Sequence, residues 1–315
     1  NKYIESLYNE TAEIGKFSKE EKLKINIAMN ENKMEKLDSV VIRFSGDSGD
    51  GMQLTGTLFS SLSAILGNEI ATFPDYPAEI RAPQGTVSGV SGFQVNVGSG
   101  INTPGDHADV LVVMNPAALQ VNKNILKPLG VVIYDADSFG KKDLEKAGFT
   151  TENPFVELGF KDTVQIIPVP LTSLTVKSLE GFGMDMKSMT RSKNMFALGL
   201  ICWLFNRELD KAQHFLANKF AKKPDLLKAN AKVLEDGFNY GHNLHLNIST
   251  FMVAKSDQLE KGKYTIISGN KATAFGLIAA AEKSGLQLFL GSYPITPATD
   301  ILHELAARRD LGVKT

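Results

Sequence analysis

Ser39-Val40-Val41-Ile42-Arg43-Phe44-Ser45-Gly46-Asp47-Ser48-Gly49-Asp50-Gly51-Met52-Gln53 is the stretch that sets the fold. Ser39 to Ser45 is rich in β-branched and aromatic residues and reads as a buried strand. Glycines 46, 49 and 51 then supply a sharp turn. From Met52 the apolar period changes. Leu54, Leu58, Leu62 and Ile65 recur at helical spacing up to Leu66, and Gly67 stops the run. A strand, a glycine turn and a helix in this order open a βαβ unit.

The alternation continues outward. Glu69 to Phe73 reads as a second strand, and Val87 to Val97 as a strand pair or one long bent strand, with glycines 89 and 92 at the bends. Val110 to Met114, Val131 to Asp135 and Thr163 to Val169 are short buried-type strands, and Pro116 sits near the start of a helix. Residues 190–240 are helical, with an amphipathic run from Asp225 to Phe238. The expectation is an α/β domain over residues 38–245, a parallel or mixed sheet flanked by helices. Residues 1–37, rich in Lys, Glu and Asn, read as an N-terminal extension. Lys255, Asp257, Glu260, Lys261 and Lys263 mark 246–263 as a linker.

A second α/β unit is expected over 264–315: strand Tyr264 to Ile267, helix Lys271 to Ser284 with Gly285 as C-cap, strand Leu286 to Leu290, a turn, and a helix ending near Gly312. A unit of about 50 residues buries too little surface to be secure alone, so it reads as the start of a larger domain.

Composition narrows the function classes. The chain has 315 residues, 43% of them hydrophobic, with a net charge of −1. That suits two globular domains and gives no bulk field for nucleic acid or a membrane surface. The longest apolar run, Met195 to Phe205, falls short of the ~20 residues of a membrane helix. Basic residues are dispersed, which argues against nucleic acid. Few cysteines and no secretory pattern point to the cytoplasm. The one cysteine, Cys202, lies in the apolar run and reads as a core thiol. It excludes an iron–sulfur cluster held by four thiolates of this chain. Histidines 107, 214, 242, 245 and 303 lack metal-ligand spacing: His242 and His245 have no third ligand nearby.

Two turns carry candidate chemistry. At Gly46–Gly51 the spacing is G-x-x-G-x-G, not the dinucleotide G-x-G-x-x-G, and no Gly-Lys-Ser/Thr follows. Glycines here let a backbone approach a phosphate at a helix N-terminus; the competing reading is a purely structural turn. Asp47 and Asp50 would repel a pyrophosphate unless they point away. Asp75, 24 residues past Gly51, stands where a ribose-binding acid of a nicotinamide dehydrogenase would lie. Asn115-Pro116 ends a strand at the same sheet edge, and Arg81 sits in a proline-rich loop. The second turn is Gly291-Ser292-Tyr293-Pro294-Ile295-Thr296-Pro297-Ala298-Thr299. Tyr293 and Thr296 precede prolines and are pushed to extended geometry. Thr296 is placed as an N-cap with Pro297 at the first helical position, a helix end that attracts a carboxylate or simply caps itself.

Tyr293-Pro294-Ile295-Thr296-Pro297 resembles the signature of the alpha subunit of thiamine-diphosphate-dependent 2-oxoacid:ferredoxin oxidoreductases. Gly269-Asn270 with Ala272, Ala274 and Gly276 is similar to the small-residue helix that opens the same domain. Ser45 to Gln53, Arg81-Ala82-Pro83-Gln84-Gly85, and Asp109 to Val112 with Asn115-Pro116 resemble the family's gamma domain. The order gamma then alpha resembles the two-subunit members, including those acting on 2-oxoglutarate. The resemblance implies coenzyme A-dependent oxidative decarboxylation of a 2-oxo acid, giving an acyl-CoA, carbon dioxide and reduced ferredoxin. It implies an alpha–beta hetero-oligomer, with thiamine diphosphate shared with the beta subunit and Mg2+ and the iron–sulfur cluster on that partner. In that scheme Thr296 orients the substrate carboxylate, and Tyr293, Pro294 and Ile295 form the thiamine-facing wall. Gly46, Asp47, Ser48, Gly49, Gly51, Met52 and Gln53 contact coenzyme A. The family's thiamine-activating glutamate falls past Thr315, so this stretch by itself is expected to have no turnover. The rivals are a nicotinamide-dependent dehydrogenase and a non-catalytic assembly subunit.

Overall fold

The computed structural model describes residues 34–76, 89–160, 163–244 and 250–314. Strand β1 (Met34–Leu37) leads into β2 (Ser39–Asp47), the glycine turn, helix α1 (Met52–Ile65), β3 (Glu69–Asp75) and β4 (Val90–Gly98). Next come β5 (Ala108–Val113), α2 (Pro116–Val121), β6 (Leu126–Asp135), α3 (Lys141–Lys146), α4 (Pro154–Glu157) and β7 (Gln165–Val169). A helical half follows: α5 (Leu171–Ser178), α6 (Met186–Thr190), α7 (Lys193–Leu204), α8 (Leu209–Lys219) and α9 (Pro224–Asn243). Strand β8 (Thr250–Val253) and helices α10 (Gly269–Ser284) and α11 (Thr299–Ala306) come last.

Six strands form one mixed sheet in the order β3-β4-β2-β5-β6-β7. β2, β5, β6 and β7 run parallel, and β4 lies antiparallel between β2 and β3. This is the expected α/β fold, and Val90–Gly98 is one strand rather than a pair. The period-2 geometry of β5 shows why its sequence is apolar throughout. Val110 and Val112 face one core with Phe44, Phe59, Val95 and Ile133. Leu111 and Val113 face the other, with Leu119, Leu144 and Phe155.

Helix α7 is buried on every side, as its unbroken apolar run requires. Helix α9 approaches it through two glycines. A Cβ on Gly199 would lie 2.1 Å from the Leu234 carbonyl oxygen, and one on Gly237 2.2 Å from that of Phe196. Cys202 is fully buried here, and burial pushes its thiol up to about 12. No helix among the described residues is long and apolar enough to cross a membrane.

Two segments that the sequence sets apart come together. Met34–Leu37, from the expected extension, pairs in parallel with Thr250–Val253, from the expected linker. The chain past β8 is also anchored to the sheet. Ser256 N–H donates to the Gly67 carbonyl at 2.9 Å, Asn68 Nδ2 to that of Ala254 at 2.6 Å, and Ser99 Oγ to Asp257 Oδ1 at 2.9 Å. Within the described part of 246–263, the stretch from Thr250 to Asp257 is thus bound to the sheet domain, with Ser256 and Asp257 as polar anchors.

The last unit matches its helices better than its strands. Helix α10 ends at Gly285 in the left-handed conformation, φ 70°, as a C-cap glycine should. Tyr264 to Ile267 forms no strand, and Leu286 to Leu290 makes only one isolated bridge, Phe289 to Lys314. A strand needs a neighbour for its backbone groups, and no described strand lies beside either segment. The core of this unit is Ala274, Leu305 and Val313, with Ile278, Leu288, Leu290 and Ile301 against them.

Candidate functional site

The carboxyl ends of β2, β5 and β6 open onto a cleft of ≈ 590 Å³ lined by Asp47, Asp50, Asn115, Asp137, Lys146 and Lys193 among others. Ligands of open α/β sheets collect at this edge. The glycine turn forms one wall. Asp50 N–H donates to the Asp47 carbonyl at 2.9 Å, and Gly51 enters α1 with φ 75°. Asn115 caps α2 through Ala118 N–H at 2.8 Å, with Pro116 at the first helical position as expected. Its Nδ2 reaches Asp47 Oδ1 at 2.9 Å. Partial burial and the neighbouring Asp50 carboxylate push the Asp47 carboxyl above its ordinary range, against the Asn115 amide and Lys193.

The acids of the turn have partners within the protein. Asp50 Oδ2 accepts the Asp47 N–H at 2.9 Å, and its Oδ1 lies 2.9 Å from Lys193 Nζ. Lys193 also stands 3.8 Å from Asp135 Oδ2, whose side chain is 0% exposed. Asp135 accepts hydrogen bonds from Ser138 Oγ at 3.0 Å and Thr172 Oγ1 at 2.7 Å. Beneath the turn, buried Arg43 pairs with Asp75 and donates to Asn122 Oδ1 at 3.0 Å; Asn122 in turn donates to Ser45 Oγ at 2.9 Å.

These contacts revise the residue assignments. Asp47, Ser48 and Gly49 are exposed at the turn. Met52 is buried in the core, so its side chain is packing rather than a ligand contact. The Gln53 amide nitrogen is engaged within the fold: its Nε2 donates to the Gly92 carbonyl at 2.7 Å and Ser91 Oγ at 3.1 Å. Asp75, the ribose-binding acid of the dehydrogenase rival, is committed to Arg43. Arg81 and the Arg81–Gly85 loop lie outside the described residues, as does His245. The sequence reading missed Lys193 and Asp135. A signal was present: a lysine at the start of a helix that is apolar from Met195 onward sits at the positive end of the helix dipole and needs a carboxylate close by.

The second turn differs from its expected form. Thr296 is not an N-cap and Pro297 is not the first helical residue. Helix α11 begins at Thr299 behind Ala298, with no side-chain cap. The amides ahead of it close local turns instead: Thr299 N–H to the Ile295 carbonyl at 2.9 Å and Asp300 N–H to that of Pro297 at 3.1 Å. Thr299 Oγ1 adds a bond to the Ile295 carbonyl, and Asn270 Nδ2, from α10, holds the Pro297 carbonyl at 2.9 Å. Thr296 is exposed, and its hydroxyl makes no hydrogen bond to a described residue. Tyr293 is 79% exposed and Ile295 57%. Among the described residues no group of three His, Cys, Asp or Glu side chains could hold a metal ion.

Residues 41–240 match the family described as pyruvate ferredoxin/flavodoxin oxidoreductase. The chain is 48% identical over 282 residues to the 2-oxoglutarate oxidoreductase subunit KorA of Mycobacterium tuberculosis, covering 89% of this chain and 43% of that protein. It is also similar to the 2-oxoglutarate:ferredoxin oxidoreductase of Magnetococcus marinus, whose structure holds 2-oxoglutarate, coenzyme A and succinyl-CoA. The TM-score is 0.66 at 27% identity, over 89% of this chain and 43% of that one. The chain thus spans less than half the length of either relative. A sheet of this order, a cleft at its carboxyl edge and a family match across the whole sheet lead to one conclusion: the chain belongs to the pyruvate ferredoxin/flavodoxin oxidoreductase family.

Proposed function

We propose that this chain is a gamma–alpha type subunit of a cytoplasmic 2-oxoacid:ferredoxin oxidoreductase acting on 2-oxoglutarate. The observation that carries the reading is the 48% identity to a 2-oxoglutarate oxidoreductase subunit, which extends over 89% of the chain and so over both units. The reaction is coenzyme A-dependent oxidative decarboxylation to an acyl-CoA and carbon dioxide, with the electrons passed to ferredoxin.

The residues present fit such a site. Tyr293, Pro294 and Ile295 offer an exposed apolar wall for a cofactor ring, beside the Thr296 hydroxyl. Bound thiamine diphosphate supplies the carbanion chemistry. The protein's share is orientation: Thr296 donates a hydrogen bond to the substrate carboxylate, and the wall keeps water from the reacting face once the complex closes. The sheet domain delivers coenzyme A through its carboxyl-edge cleft, with the exposed turn residues Asp47, Ser48 and Gly49 as the contacts. Mg2+ and the iron–sulfur cluster are assigned to a beta subunit, in keeping with a chain whose one cysteine is buried.

A substrate panel on the assembled alpha–beta complex, with ferredoxin as acceptor, tests this. The expected result is ferredoxin reduction that needs both 2-oxoglutarate and coenzyme A; a preference for pyruvate would overturn the substrate.

A further inference from the structure

Two glycines of the turn are filled by the protein's own side chains. A Cβ on Gly46 would sit 2.7 Å from Asp50 Oδ2 and 3.0 Å from Met114 Cβ. A Cβ on Gly51 would sit 2.5 Å from the Asn194 side-chain nitrogen. Only Gly49 of the three has nothing within 4 Å. Gly46 is therefore bare because a carboxylate folds over it, not because a ligand must approach there.

That carboxylate also stands where an anion would stand. It accepts the Asp47 N–H at 2.9 Å and faces the Lys193 ammonium at 2.9 Å. An amide N–H and an ammonium are the donors a phosphate would seek. Lys193 is held in place by Asp135, so the arrangement is an ion-paired brace across β2, β6 and α7 with Asp50 as its outer member. A phosphate entering the turn would have to displace Asp50 and would then face that carboxylate unpaired, together with Asp47.

We infer that Asp50 is a specificity-determining residue of the cleft: it is a built-in anion that shuts phosphate groups out of the glycine turn. The turn then meets an uncharged part of its ligand. Under the coenzyme A reading, on which the ligand's identity rests, that part is the pantetheine arm, and the phosphates bind elsewhere. The exclusion of phosphate from the turn does not depend on that reading.

Hydrogen–deuterium exchange of the peptide spanning Gly46–Gln53, in the full chain, tests the inference with inorganic pyrophosphate, coenzyme A and pantetheine as probes. Pyrophosphate should leave the wild-type peptide unprotected. In Asp50→Ala, which frees the Asp47 N–H and Lys193, it should protect the peptide at a concentration about ten-fold lower or less. Asp50→Asn, which keeps the size and removes the charge, should fall between the two and guards against misfolding of the alanine variant. Pantetheine should protect the wild-type peptide. Equal pyrophosphate protection in wild type and Asp50→Ala would overturn the inference, and so would none in either. A wild-type protein blind to coenzyme A and pantetheine, beside an Asp50→Ala variant that takes pyrophosphate, would overturn the coenzyme A reading and leave Asp50 in its role.

Discussion

The glycine turn and the Tyr-Pro turn both lead into a helix, yet they end in opposite states. Asp50, Asn115, Lys193 and Asn194 close on the first, so most of its polar groups already have partners. The second is held from behind by Asn270 and by the Thr299 and Asp300 amides of its own helix, and turns Tyr293, Ile295 and Thr296 outward. Their supports differ likewise. The sheet domain has continuous cores on both faces, whereas Ala274, Leu305 and Val313 are the only buried apolar residues described in the C-terminal unit. The contrast teaches where each turn does its work. A turn whose groups are matched internally selects by shape and charge, and a turn left open is completed by whatever docks on it.

Deletions in the two cores should break this contrast if it is false. Phe59, fully buried against Phe44 and Phe205, should cost about 3–5 kcal/mol on replacement by Ala, read from urea unfolding. Gly237→Ala should cost about 3 kcal/mol, because the Phe196 carbonyl cannot yield without parting α7 from α9. Leu305→Ala should cost about 2 kcal/mol, but locally: amide exchange should rise in α10 and α11 and stay unchanged in the sheet. Global unfolding on Leu305→Ala would show that the two regions form one cooperative unit.

A smaller effect tests how the segment after β8 is fastened to the sheet. The Glu69 carboxylate accepts the Ser256 hydroxyl and the Gly100 and Ile101 amides, and these bonds, Ser256 foremost, hold it below its ordinary range. A lowered folded value means the contribution is complete above the unfolded glutamate value and disappears as pH falls through the folded one. The melting-temperature gap between wild type and Glu69→Gln should therefore be constant near neutrality and close in acid. A gap independent of pH would assign the effect to packing. The smallest expected change is in stability for Thr296→Ala, within about 0.5 kcal/mol for so exposed a side chain. In the assembled complex the same variant should raise the Michaelis constant for the 2-oxo acid; an altered fold with an unchanged constant would favour the assembly-subunit reading.

Much of the sheet domain was legible because its signals are local. Strand β2, the turn and helix α1 change period within a few residues, and Pro116 and Gly285 stand where helix ends want them. The partnership of Asp50, Lys193 and Asp135 was not legible, since it joins three elements far apart in sequence. Strand β8 was hidden by its four-residue length and the charges after it. Thr296 misled for a different reason. Its proline context fits a cap, but the carbonyls of Ile295 and Pro297 had already taken the first amides of the helix.

The pairing of β1 with β8 has a consequence for biosynthesis. Met34–Leu37 leaves the ribosome well before its partner Thr250–Val253 exists. At ordinary elongation rates the wait is about 10–40 s. A strand exposed for that long invites pairing with a strand from another nascent chain. Glu35 and Lys36 occupy the middle of its four residues, and such charges discourage that encounter until the rest of the domain has been made.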